Sequence, residues 1–116
     1  MDSDIIDPLE DLLDFGNELM LFARGRDTER DEVERMRYLA IERLFELIGE
    51  ALKRALMIEP GLATRISDIP EIRGMRNRLV HDYDSIKVDV VWDAAENDVP
   101  NLVSVVTELL RERGAM

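Results

Sequence analysis

Apolar residues recur at steps of three and four along almost the whole chain, and this helical period is the strongest constraint on its fold. In the first segment Ile5, Leu9, Leu12 and Leu19 mark one face, and Pro8 is expected in the first turn. No segment alternates with the period of two that a half-buried strand requires. The pattern predicts an all-α fold, an antiparallel bundle of four to five helices joined by short loops.

The second helical segment is the longest. It is expected to run from about Glu29 to Met57, where Glu59-Pro60-Gly61 ends it, and to span about 43 Å. Ten apolar residues are expected on its buried face: Val33, Met36, Ala40, Ile41, Leu44, Leu47, Ile48, Ala51, Leu52 and Ala55. Leu39, Phe45 and Leu56 lie off that face. A partner helix in a homodimer and another helix of the same chain explain this surplus equally well.

The third helical segment follows a favourable N-cap, Asp68, and opens at Ile69. Its apolar residues recur as far as the stretch His81–Ser85, where it is expected to end. A fourth helix comes next. Because Pro100 interrupts its pattern, a separate last helix is predicted from about Asp98 to Arg113.

Composition excludes several kinds of site. The 116 residues contain no Cys, which excludes disulfides, thiolate metal sites and cysteine nucleophiles. His81 is the only His, which excludes a multi-histidine metal site within one chain. No apolar run approaches the roughly 20 residues of a membrane span, and the N-terminus does not resemble a signal peptide. A single domain over residues 1–116, located in the cytoplasm and away from membranes, is therefore expected.

Charge is unevenly distributed along the chain. The formal net charge of −11 repels phosphate backbones and argues against sequence-independent binding of long duplexes. Residues 1–23 carry seven acids and no base, which fits a solvated helix face or a docking face for a basic partner. Residues 72–81 carry three arginines and no acid, so a local anion site is compatible with the overall charge.

The segment 76–83 holds the residues best suited to chemistry. Arg76, His81 and Tyr83 lie within eight positions. On a straight helix Arg76 and Tyr83 would lie within about 20° of one another, whereas His81 would lie about 140° from Arg76. The three side chains therefore converge only if the helix unwinds near His81 or if a second chain completes the site. Taken alone, a single His at a helix end is more often a structural hydrogen-bond partner or C-cap.

The spacing Arg76-x4-His81-x-Tyr83 matches the R-x4-6-H-x-Y motif of HEPN domains, and the chain resembles the HepT-like branch of that superfamily from about Glu34 to Leu110. Further similar segments are Ile48–Arg54, Ile69-Pro70 before Gly74–Arg78, Val91-Trp92 and Asn97–Leu102. One departure is Asp84, because many members have an aromatic residue directly after the motif Tyr. The resemblance implies one HEPN-like helical domain that forms a two-fold homodimer.

The resemblance also implies a metal-independent endoribonuclease without a cofactor, usually the toxin of a toxin–antitoxin pair. The antitoxin is expected to be a minimal nucleotidyltransferase that modifies Tyr83 with AMP. His81 would be the base for the 2′-hydroxyl of RNA, and Arg76 would stabilise the phosphorane. RNA phosphates would be contacted by three neighbours: Arg73, Asn77 and Arg78. Because each chain has one His, a homodimer that brings two copies of His81 to one cleft would supply both base and acid.

Two other interpretations stay open. A non-catalytic HEPN module would bind a protein partner, a nucleotide or RNA, although such modules tend to lose the motif Arg or His and this chain keeps both. A divalent metal site from Glu46 and Glu50, four residues apart on one helix face, is the second, but such pairs are commonly exposed helix surface.

Overall fold

Four α-helices form the part of the chain that the computed structural model describes, which is residues 3–24, 31–81 and 88–116. The helices are α1 (Ser3–Arg24), α2 (Asp31–Ile58), α3 (Ile69–His81) and α4 (Val88–Glu112). A short 3-10 helix, Pro60–Thr64, connects α2 to α3. These residues contain no strand, so the all-α prediction is confirmed. None of these helices is long and apolar enough to cross a membrane.

Helix α1 runs antiparallel to both α2 and α4. Arg54 of α2 donates a hydrogen bond to Asp11, and Arg37 of α2 donates one to the carbonyl of Phe22. The later residue of α2 therefore contacts the earlier residue of α1, as antiparallel helices require. On the other side Gly16 faces Val103. Further along, the end of α1 and the middle of α4 line a common cleft through Ala23 and Ala95. The bundle is elongated, about 48 Å by 27 Å by 19 Å, because α2 alone spans about 42 Å.

The predicted buried face of α2 is largely correct, with one exception. Its central residues Ile41, Ile48 and Leu52 are fully buried. Met36 was expected there but is 68% exposed, because it lies about 140° around the helix from Ile41. Phe45, which lies off the predicted face, is fully buried in the core of the same chain. A contact within the chain therefore explains Phe45.

Two prolines that were expected near helix starts lie inside helices. Because α1 already begins at Ser3, Pro8 falls in the second turn. Pro100 lies in the middle of α4, which is continuous, so the prediction of a separate last helix is wrong. A proline inside a helix costs about 3 kcal/mol. Val99 and Leu102 flank Pro100 and are fully buried, so their packing offsets that cost and keeps the axis continuous.

Helix α3 begins where the sequence predicts. The backbone oxygen of Asp68 accepts the first helical hydrogen bond, from the nitrogen of Ile72 at 3.0 Å. Ile72, Met75 and Leu79 are buried, and through this face α3 packs against α2 and α4. The helix ends at His81, within the predicted stretch. The rest of the surface of α3, outside this buried face, carries polar residues, and the candidate site lies there.

Candidate active site on α3

The polar residues of α3 are spread around its outer surface. Arg73 and Arg76 lie about 60° apart around the axis, and Asn77 lies about 100° from Arg76. Arg73, Asn77 and Arg78 are exposed, whereas Arg76 is partly buried. Arg78 lies about 160° from Arg76, nearly on the opposite side. The helix therefore brings Arg73, Arg76 and Asn77 onto one half of its surface and does not bring Arg78 with them.

Arg76 lies in the contact between α3 and α2. Its Nη2 atom donates a hydrogen bond to Oε1 of Glu50 at 2.7 Å. Its aliphatic stem passes directly over Gly49, the residue before Glu50. The Nε atom is buried and has no hydrogen-bond partner among the described residues. About a third of the side chain, 34%, remains exposed, so the guanidinium is held in place and still reaches solvent.

Sequence reasoning did not assign a role to Gly49 or to the Glu50 contact. Both residues belong to the block Ile48–Arg54, but Glu50 was weighed only as half of a metal site with Glu46. In the structure Glu46 pairs with Arg43 at 3.0 Å, and Glu50 pairs with Arg76. No group of three acidic or histidine side chains within the described ranges could hold a metal ion. The contact with Arg76 joins residues 26 positions apart, so only the packing of α3 on α2 reveals it.

The other two motif residues lie at the edge of the described chain. His81 is the last residue of α3, and its side chain is outside the described part. Tyr83, the predicted AMP acceptor, lies in the segment 82–87, which is also outside it. Because α3 continues as far as His81, the backbone positions of Arg76 and His81 lie about 140° apart and about 7.5 Å along the axis. The two backbone positions therefore lie on different sides of α3.

The two ends of α3 carry opposite charge. Asp68 is buried at the start, and this burial, with the negative charge of Glu71, raises the pKa of its carboxyl. Burial also raises the pKa of Asp98 on α4, and the nearby acids, led by Asp68, raise it further. Arg73 lies in the first half of the helix, and Arg76 and Arg78 lie in the second half. Acids near a helix start and bases near its end both complement the helix dipole, and Arg76 and Arg78 supply positive charge in the second half.

A comparison with known proteins shows the family to which the chain is related. The sequence model of the ribonuclease HepT-like family matches residues 6–109, which is most of the chain. The chain belongs to this family. The prediction of a HepT-like member of the HEPN superfamily is therefore confirmed. The match includes all of α2 and α3, and hence every residue of the candidate site on this HepT-like chain.

Individual relatives carry related names. A protein of Methanocaldococcus jannaschii named "Putative RNase MJ0127" is 26% identical over 113 residues, which cover 94% of this chain and 84% of that protein. A protein of Thermococcus cleftensis named "Probable ribonuclease HepT" is 31% identical over 99 residues, covering 83% of this chain and 86% of that protein. No solved structure matches the HepT-like chain significantly.

Proposed function

We propose that this HepT-like chain is a metal-independent endoribonuclease and the toxin of a toxin–antitoxin pair. The observation that carries the proposal is the partly exposed guanidinium of Arg76, held by Glu50 in a chain of the ribonuclease HepT-like family. The names of the relatives support RNA as the substrate. Two exposed neighbours, Arg73 and Asn77, lie on the same half of α3 and would bind adjacent phosphates.

The proposed chemistry is in-line attack by the 2′-hydroxyl of RNA. His81 takes the hydroxyl proton, the 2′-oxygen bonds to phosphorus, and Arg76 stabilises the charge of the phosphorane. The bond from phosphorus to the 5′-oxygen then breaks, and that oxygen takes a proton from the partner's His81. The products are a 2′,3′-cyclic phosphate and a free 5′-hydroxyl. General base catalysis contributes about 10²–10⁴-fold, or roughly 3–5 kcal/mol of barrier.

A two-fold homodimer is part of the proposal. Arg76 and His81 lie on different faces of one α3, so a second copy would complete the site. Arg78, which points away from Arg76, would then contact phosphate in the shared cleft. Met36 and Leu39 on α2 are 68% and 44% exposed and offer apolar surface for the contact between copies. Light scattering that gives a monomer mass at micromolar concentration would contradict the dimer.

Control by a minimal nucleotidyltransferase antitoxin is also proposed. The antitoxin would transfer AMP from ATP to the hydroxyl of Tyr83 and release pyrophosphate. The added phosphodiester would lie two residues from His81 and pair with an arginine of α3, as an RNA phosphate does. Intact-protein mass after co-expression with such an enzyme should increase by one AMP or more. An equal increase in mass for wild type and Tyr83→Phe would contradict this control.

The test of cleavage uses purified protein and single-stranded RNA in the presence of EDTA. Wild type should leave 2′,3′-cyclic phosphate ends, and His81→Ala should lose activity by about 10²-fold or more. Arg76→Ala should lose a similar amount. Arg111→Ala, an exposed arginine on α4, is the matched control and should cut normally. Inhibition by EDTA or normal cleavage by His81→Ala would contradict the mechanism. Binding of RNA without cleavage would favour the non-catalytic module instead.

A further inference from the structure

We infer that Gly49 and Glu50 of α2 form a seat for Arg76, which sets the working position of its guanidinium. The seat is defined by two adjacent residues: Gly49 makes room for the stem, and Glu50 binds one end of the head. The inference rests on the proposed function, in which Arg76 contacts the reacting phosphate. Gly49 and Glu50 would act through Arg76 and are therefore positioning residues.

Space explains why position 49 is a glycine. A Cβ atom there would lie 2.6 Å from Cδ of Arg76, 3.1 Å from Cγ and 3.3 Å from Cβ. Three consecutive atoms of the arginine stem therefore run across this point of α2. Gly49 does not have a positive φ, so its backbone does not require a glycine. A glycine inside a helix destabilises the helix relative to alanine. The room that Gly49 leaves for the Arg76 stem is therefore the reason we give for a glycine at this position.

The seat leaves one edge of the guanidinium open. Glu50 accepts from Nη2, and the Nε atom is enclosed. A phosphate would therefore approach the Nη1 side, where no hydrogen bond to another described residue competes. A free arginine side chain has many rotamers, and the seat removes most of them before RNA binds. A displacement of about 1 Å at a reacting group can lower a rate by about 10²-fold.

Cleavage kinetics test the seat with a matched pair of alanine substitutions. Gly49→Ala should lower kcat by about 10-fold to 10²-fold, because its Cβ displaces Arg76. Gly61→Ala in the 3-10 helix is the control, since a Cβ there meets nothing within 4 Å and the position lies outside α3, and its rate should stay within about twofold of wild type. Normal cleavage by Gly49→Ala would overturn the seat.

Thermal unfolding tests the seat without any assumption about activity. Gly49→Ala should lower the unfolding midpoint of wild type by roughly 3–8 °C. In an Arg76→Ala background the same substitution should be neutral or stabilising, because the obstructing stem is gone and alanine favours the helix. Equal losses in both backgrounds would overturn the seat. If wild type does not cleave RNA but this coupling is observed, the proposed function fails and the seat stands.

Glu50 is tested by its pH profile. Glu50→Gln keeps an acceptor but loses the charge, so kcat should fall about equally at every pH and the shape of the profile should be retained. Glu50→Ala should fall further. Loss of a limb of the profile in Glu50→Gln would identify Glu50 as a proton-transfer group and overturn its positioning role.

Discussion

Two buried glycines, Gly16 in α1 and Gly49 in α2, allow close approaches that serve different purposes. A Cβ at Gly16 would lie 2.5 Å from Cγ2 of Val103, and a Cβ at Gly49 would lie 2.6 Å from Cδ of Arg76. The first glycine lets the apolar faces of two helices approach. The second lets a charged side chain cross a helix. Valine has one strongly preferred rotamer in a helix, whereas the arginine stem can adopt another rotamer. An added Cβ should therefore mainly lower stability at Gly16 and mainly displace the side chain of Arg76 at Gly49.

The helices around Gly16 and around Gly49 also differ in their buried polar atoms that have no hydrogen-bond partner. Among the described residues, buried side-chain polar atoms without a partner occur in Arg37, Glu42, Asp68 and Arg76, which lie on α2, on α3 or directly before α3. None of these four belongs to α1 or α4. Of these, Arg76 lies in the α2–α3 contact, so that contact keeps a buried polar atom without a partner, whereas the helices of the α1–α4 contact have none among the described residues. A buried polar group without a partner costs about 1–3 kcal/mol.

The largest effect on stability is expected at the apolar contact. Gly16→Ala should lower the free energy of unfolding by about 1–3 kcal/mol, because its Cβ meets the rigid side chain of Val103. Urea denaturation measures the change, and cleavage at a temperature where the variant is folded should be normal. Val103→Ala should restore much of the loss in the double variant. A fully stable Gly16→Ala would remove the distinction from Gly49.

A smaller effect, of opposite sign, is expected at the polar end of α3. Asp68→Asn should raise the free energy of unfolding by about 1 kcal/mol at neutral pH, because it removes a buried charge near Glu71 and Asp98. Since burial raises the folded pKa of Asp68, the ionised carboxyl destabilises the fold above that pKa. This penalty disappears as pH falls through the folded pKa and below the ordinary value.

The comparison of wild type and Asp68→Asn should therefore be made at neutral pH and at about pH 4. The two proteins should differ most in urea denaturation at neutral pH and become more similar in acid. A difference that grows in acid would mean that the ionised carboxyl stabilises the start of α3, which is the opposite of what its raised pKa predicts.

The smallest effect is expected from an exposed ion pair that resembles the one in the seat. Arg54 and Asp11 pair at 2.6 Å between α2 and α1, with 49% and 40% of their side chains exposed. Asp11→Asn should lower the free energy of unfolding by about 0.2–1 kcal/mol, less at high salt, and leave cleavage unchanged. Glu50→Gln breaks a pair of similar length but should lower cleavage. Equal effects of both substitutions on cleavage would mean that Glu50 acts only through stability.

The helices were predictable because the residues that become buried recur in the sequence with the period of a helix. Ile72, Met75 and Leu79 recur at helical steps, and the structure buries all three. The error at Pro100 arose where a local rule opposed the pattern around it. Pro100 removes one hydrogen bond, but Val99 and Leu102 continue a buried stripe, and tertiary packing decided the outcome.

The site was predictable only in part. The spacing of Arg76, His81 and Tyr83 is local, so the sequence displays it directly. The contacts of Arg76 with Gly49 and Glu50 are not local, because they depend on the position and orientation in which α3 packs on α2. A glycine and a glutamate inside a long helix carry no sign of an arginine 26 or 27 positions later. Only the assembled helices show that Gly49 has a neighbour to accommodate.

The contact between Arg76 and Gly49 should affect how positions 49 and 76 change during evolution. Substitutions at the two positions are not independent, because alanine at 49 displaces the stem of Arg76 and carries no such cost once the side chain at 76 is short. In a lineage that has lost the arginine, nothing keeps glycine at 49, and alanine is favoured there by its helix propensity. Position 49 should therefore record, long after the event, whether an ancestor still relied on that arginine.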